Sequence, residues 1–211
     1  MTDEHQTGLP PISPEEWDAR YASSEQVWSG QPNGGLVAEA SELTPGRALD
    51  VGCGEGADAL WLAARGWDVT ALDVSAVALE RAQIAASAAG VTVRWVHAGL
   101  VDADLLSGDF DLVSVQYPAL LRTAGDEAER ALLGLVAPEG TLLVVHHADI
   151  DSEHAKARGF DPADYVGHED LAALLGSDWE VLVAERRARQ VAGGAGSHHM
   201  HDLVLRAHRR S

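Results

Sequence analysis

The 211 residues carry 33 Asp and Glu against 15 Lys and Arg, a formal charge of −18, and a field of that sign repels a polyphosphate, which argues against DNA or RNA as substrate. The length suits one domain, and the lone Cys53 allows no internal disulfide, which points to a reducing, cytoplasmic setting. Neither a charged leader with an apolar run nor a stretch of about 18 apolar residues is written, so neither secretion nor membrane insertion is expected.

Residues 1–12 are polar and proline-bearing without period and read as a flexible tail. Ser13-Pro14-Glu15-Glu16 is a capping-box sequence with proline at the first helical position, so a short helix is predicted through Trp17 and Tyr21. Residues 13–46 together read as a helix followed by a lid segment. Trp28 lies among Gly30, Pro32, Asn33, Gly34 and Gly35, which signal a loop, and an indole there suits a cover over a ligand as well as packing against a sheet. From 47 to 208, short β-branched or apolar runs alternate with Ala- and Leu-rich stretches. Strands are predicted at about 47–51, 67–73, 91–97, 110–116, 141–147, 179–187 and 199–207, with helices at about 56–65, 75–89, 125–136 and 168–175. Gly193-Gly194-Ala195-Gly196 is too short for a helical crossover, so the last two strands are expected to pair antiparallel. The fold class that follows is α/β: a single Rossmann-like domain with a seven-stranded, mostly parallel sheet, an antiparallel C-terminal strand and helices on both faces.

The chemistry is concentrated in Ala48-Leu49-Asp50-Val51-Gly52-Cys53-Gly54-Glu55-Gly56, an apolar strand that runs through a glycine-rich turn into a helix. Glycines remove the Cβ atoms that would block close approach of a ligand and permit positive φ. About 20 residues on, the second strand, Trp67-Asp68-Val69-Thr70-Ala71-Leu72-Asp73, ends in a carboxylate able to accept from both hydroxyls of a ribose. The glycine spacing is not the G-x-G-x-x-G of nicotinamide enzymes.

Leu49-Asp50-Val51-Gly52-Cys53-Gly54-Glu55-Gly56 resembles the first signature of class I S-adenosylmethionine-dependent methyltransferases. Trp17-Asp18-Ala19-Arg20-Tyr21, the Trp28-Ser29-Gly30 loop and the compact C-terminal hairpin are most similar to the small-molecule enzymes of the tellurite-resistance and thiopurine-methyltransferase type. The resemblance implies S-adenosylmethionine as cofactor, S-adenosylhomocysteine as product, no metal, and a small-molecule methyl acceptor. It also implies that Asp50 lies near the methionyl amino group, that Gly52, Cys53 and Gly54 line the cofactor, that Asp73 holds the ribose, and that Val74, Gly99 and Leu100 flank the adenine. Gln116, at the end of the fourth strand, falls near the sulfonium and the substrate. Relatives carry a polar residue after the third strand where this chain has Ala98-Gly99-Leu100, so adenine reading is expected from main-chain groups or from Asp102.

Methyl transfer from a sulfonium is an in-line displacement, and a base is required only for an acceptor that starts protonated. His146 and His147 end the fifth strand on opposite faces, and His147 is the candidate base, with Tyr117 a candidate substrate contact. His198-His199-Met200-His201 resembles a metal tract in composition but reads as a hairpin edge. A nicotinamide oxidoreductase and a non-enzymatic cofactor-binding protein are the alternatives, and a monomer or homodimer is expected.

Overall fold

The computed structural model describes residues 13–157, 161–189 and 199–211; the tail at 1–12, the Gly193–Gly196 connection and His198 lie outside the described residues. The chain runs α1 (Pro14–Ala22), α2 (Gly34–Ala40), β1 (Arg47–Val51), α3 (Ala57–Ala63), β2 (Asp68–Asp73), α4 (Ala76–Ala89), β3 (Arg94–His97), β4 (Phe110–Gln116), α5 (Glu127–Leu135), β5 (Val136–His147), α6 (Ser152–Ala157), a single 3-10 turn, α7 (His168–Leu174), β6 (Trp179–Ala188) and β7 (His201–Arg209). Among the described residues, no helix is long and apolar enough to cross a membrane.

The sheet has the order β3-β2-β1-β4-β5-β7-β6. The first five strands are mutually parallel, and β7 runs antiparallel to both β5 and β6. The near-continuous apolar runs of β1, β4 and β5 are explained by two buried layers. Leu49, Val51, Val113, Val115, Leu142 and Val144 pack with α5 and α7 on one face, while Ala48, Leu112, Leu143 and Val145 pack with α2 and α3 on the other.

Two differences from the sequence reading have physical causes. Gly34 and Gly35, read as loop, open helix α2: a Cβ on Gly35 would sit 2.9 Å from Val145 Cγ2, so close packing against β5 selects glycine there and overrides its poor helix propensity. Strand β5 begins at Val136, five residues earlier than predicted, directly after α5. It turns through Glu139, whose φ is +63°, and a Cβ on Gly140 would lie 3.0 Å from Phe110 O.

Helix α2 is tied to the far strands by a buried carboxylate. Glu39 Oε1 meets Arg187 Nη1 at 2.7 Å and Glu39 Oε2 meets Arg206 Nη1 at 3.0 Å, with Glu39 itself 7% exposed. Removing one partner of such a cluster strands the others. Because both arginines are about a quarter exposed and screened, Glu39→Ala is expected to cost about 2 kcal/mol, read as a lower urea midpoint with an unchanged slope.

Candidate functional site

The carboxyl edge of β1 and β2 is built as one unit. Gly52 N–H and Cys53 N–H both donate to Leu72 O, at 2.9 and 3.0 Å, and Gly56 N–H donates to Cys53 O at 2.9 Å. Gly54 N–H donates to Asp73 Oδ2 at 2.8 Å, while Asp73 Oδ1 accepts from Ser75 N–H at 2.9 Å. Gly52, Gly54 and Gly56 have φ of +70°, +52° and +84°, a conformation that costs side-chain-bearing residues about 1–2 kcal/mol each. A Cβ on Gly52 would meet nothing within 4 Å, whereas one on Gly54 would meet Tyr21 Oη at 2.8 Å and Trp28 Nε1 at 3.1 Å. The turn therefore has one open face, at Gly52, and one covered by the N-terminal aromatics.

That cover is fastened from below. Glu55 accepts from Trp28 N–H at 3.0 Å and from Val27 N–H at 3.2 Å, and pairs with Arg81 at 2.9 Å. Arg81 also donates to Tyr21 O and Ser24 O. Trp28 Nε1 donates to Tyr21 Oη at 2.8 Å, and Asp18 accepts from Ser75 Oγ and from Val77 N–H. Trp28 thus sits against the glycine turn as part of a bonded segment.

Three buried carboxylates surround the turn. Asp50 Oδ2 is buried with no hydrogen-bond partner. Asp58 accepts from the Asn33 N–H and side-chain amide, both at 2.7 Å. Burial, then the proximity of Asp58 and Asp73, pushes the Asp50 carboxyl well above its ordinary range; burial likewise raises Asp58 and Asp73 despite their backbone donors. Burial and the same acids push the Cys53 thiol up, which keeps it protonated and unreactive at neutral pH.

Past β2 and β3, Val74 and Gly99 come together: a Cβ on Gly99 would lie 3.9 Å from Val74 Cγ1 and 3.3 Å from Asp102 Oδ2, so Asp102 folds over this edge. His97 Nε2 lies 3.0 Å from Val74 O, and Leu100 turns into the core.

Beyond β1, Gln116 is buried at the end of β4, its Nε2 donating to Ser114 Oγ at 3.1 Å and its Oε1 without a partner, near Gly35. Tyr117 follows with φ +51° and donates through Oη to Asp202 Oδ2 at 3.0 Å. The ring of His147 stacks on Tyr117 at 4.2 Å and on His199 at 4.0 Å. The Arg189 guanidinium lies 4.6 Å over the Tyr117 ring, and its Nη1 is 3.3 Å from His147 Nδ1. Burial pushes the Tyr117 hydroxyl and the Asp202 carboxyl upward. His146 points to the opposite face, 6.4 Å from His168, where burial lowers it to about 4 and leaves it neutral. His201 takes no part in this stack: its Nδ1 faces Asp149 and Arg186.

The structure thus gathers Asp50, Gly52, Cys53, Gly54, Asp73 and Trp28 at the turn, Val74, Gly99 and Leu100 at its flank, and Gln116, Tyr117 and His147 on the next edge. Sequence reasoning missed Asn33, Asp58, Glu55 and Arg81, whose mutual contacts span 25 or more residues and leave no local pattern. It also missed Arg189 and Asp202.

A family described as "Methyltransferase domain" matches residues 48–140. An uncharacterized methyltransferase of Mycobacterium tuberculosis is 44% identical over 98 residues, which are 46% of this chain and 48% of that protein; the chain therefore spans about half the length of the curated relatives it matches first. Among solved structures, one titled for conversion of a disulfide bond into a thioacetal group during echinomycin biosynthesis superposes with a TM-score of 0.74 at 25% identity, covering 93% of this chain and 92% of that one. The N-methyltransferase NodS of Bradyrhizobium japonicum in complex with S-adenosylhomocysteine gives 0.68 at 19% identity, covering 94% and 98%.

Proposed function

We propose that this chain, which carries the class I S-adenosylmethionine-dependent methyltransferase domain, is a cytoplasmic enzyme that moves a methyl group from that cofactor to a small-molecule nucleophile. The carrying observation is the polarity of the glycine turn. Asp50, Asp58 and Asp73 are buried around it, Asp50 Oδ2 is unpartnered, and the N–H groups of Gly52, Cys53, Gly54 and Gly56 are spent inside the protein. Such a site suits a cationic ligand end and opposes a pyrophosphate, which needs free N–H donors and positive charge. This favours the methyltransferase over the nicotinamide oxidoreductase.

When bound, S-adenosylmethionine supplies a methyl group already activated by positive sulfur. Asp50 would take the ammonium end, and Gly52, Cys53 and Gly54 would wall the methionyl portion, since the open face at Gly52 admits close approach. Asp73 would hold the ribose hydroxyls with the acceptor capacity left on its two oxygens. Val74 and Gly99 would flank the adenine, with Asp102 at hand for its amino group, while the Leu100 side chain, expected beside them, packs into the core instead. Gln116, with its buried unpartnered oxygen, leads from the cofactor to the acceptor side.

Tyr117 and His147 form that side. A neutral His147 that accepts from Arg189 at Nδ1 carries its proton on Nε2. It is then a donor and a stacking surface, and it acts as a base only when Arg189 withdraws. An acceptor that presents a free lone pair at working pH, such as a thiolate or amine, needs only alignment and exclusion of water. The strong negative charge favours a small molecule over nucleic acid.

Calorimetric titration with S-adenosylmethionine and, separately, NADH tests the class. Saturable binding of the sulfonium alone, followed by S-adenosylhomocysteine formation in a screen of thiols, amines and phenols, is expected. Binding of NADH alone would replace the reading with an oxidoreductase, and binding without turnover on any acceptor would favour a non-enzymatic protein. Tyr117→Phe keeps the ring stack and removes only the bond to Asp202. It is expected to lower kcat about 10-fold with cofactor Kd unchanged, measured by initial rates and calorimetry.

A further inference from the structure

We infer that Arg20 is a further cofactor-binding residue, its guanidinium caged between Trp17 and Trp28 at the rim of the glycine turn to take the α-carboxylate of S-adenosylmethionine; the inference rests on the methyltransferase reading. The methionyl end of that cofactor is zwitterionic. Asp50, Asp58 and Asp73 suit its ammonium but repel its carboxylate, so a cation is required close by.

The cations around the turn are few. Arg81 is spent on Glu55, Tyr21 O and Ser24 O. His97 is engaged with Val74 O, and Arg189 stands on the acceptor side beside Asp202. The acids of α1 and of the turn have other partners: Glu16 accepts from Ser13 N–H, Asp18 is engaged with Ser75 and Val77, and Glu55 with Arg81, Val27 and Trp28. The guanidinium of Arg20 makes no hydrogen bond or ion pair with any described residue, yet it is half-buried. Its Cζ lies 5.5 Å from the centroid of Trp17 and 5.5 Å from that of Trp28.

Trp28 in turn leans on Gly54 through Nε1, so Arg20 stands one ring away from the turn. Stacking satisfies the faces of a guanidinium and leaves the donors in its plane, the arrangement that grips a carboxylate bidentately. The burial that lowers its pKa is a cost which a carboxylate partner offsets. The next residue, Tyr21, is fixed by Trp28, so one turn of α1 both covers Gly54 and aims the cation.

Calorimetry with two ligands tests this: S-adenosylmethionine and its decarboxylated analogue, which lacks only the carboxylate. The wild type is expected to bind the intact cofactor about 10- to 100-fold more tightly. Arg20→Met is expected to lose that preference or invert it, because the acidic site then favours the ligand with the extra net positive charge. Arg20→Lys is expected to restore part of it, since charge returns without the fork. A wild type that shows no preference overturns the inference and leaves the methyltransferase reading intact. Arg20→Met that weakens both ligands equally also overturns it, by showing a structural lid contact. A wild type that binds neither ligand overturns both.

Discussion

Asp73→Ala is expected to lower affinity for S-adenosylmethionine about 100-fold or more, with the melting temperature of the ligand-free protein changed far less. Asp73 makes two kinds of contribution at once. Its oxygens already accept from Gly54 N–H and Ser75 N–H, which sets the shape of the turn and the start of α4, and the proposed ribose contact would use their remaining acceptor capacity. Charge-assisted hydrogen bonds are worth about 1.5–3 kcal/mol each, so loss of two to the ribose accounts for about 100-fold or more, and the turn would loosen besides. Asp73→Asn separates these effects: its amide oxygen keeps one backbone donor but its NH2 cannot accept from a hydroxyl. Calorimetric Kd for both variants, set beside thermal melts, checks the expectation. Wild-type affinity in Asp73→Ala would remove the residue from the cofactor site.

The parts readable from sequence are those encoded within one short window. The strand, glycine turn and helix over 48–63, the acidic end of β2 and the capping box at Ser13 each combine an apolar period with a residue whose backbone or side chain has a single local use, and the structure forms all three. The antiparallel relation of β6 and β7 followed from connection length alone. What was not readable depends on contacts between distant segments. Helix α2 forms at Gly34-Gly35 because Val145, more than a hundred residues away, lies where a side chain would otherwise project. The stack of Tyr117, His147 and His199 becomes visible only when β4, β5 and β7 lie side by side, and Asp202 reaches Tyr117 across 85 positions. Asp58 looks like any acidic residue in a first helical turn; its role emerges from Asn33 above it and Asp50 beside it.

The same acidic cluster makes Asp50→Asn the most diagnostic substitution. Asp50 is 2% exposed, faces Asp58 and Asp73, and has a buried oxygen without a hydrogen-bond partner. Because burial raises its folded pKa above the unfolded value, its contribution to stability is fully present below the ordinary carboxylate pKa and is lost as pH rises through the folded value. An amide mimics the protonated form and escapes that loss. Asp50→Asn is therefore expected to stabilise the ligand-free protein by about 1–2 kcal/mol at alkaline pH and hardly at all at acid pH, read from urea midpoints at both. Cofactor binding should show the opposite sign. A cationic ligand end favours the ionised carboxylate, so the wild type releases protons on binding and its affinity rises with pH, whereas Asp50→Asn binds about 100-fold more weakly with a flatter pH profile. Calorimetry in two buffers of different ionisation enthalpy counts those protons. If the variant is instead destabilised at every pH, the unpartnered oxygen of Asp50 is a structural acceptor. If it is stabilised yet binds as the wild type does, the charge of the turn serves something other than the ammonium. Stability gained and affinity lost together would mean that the fold holds Asp50 at a cost to itself in order to hold the cofactor.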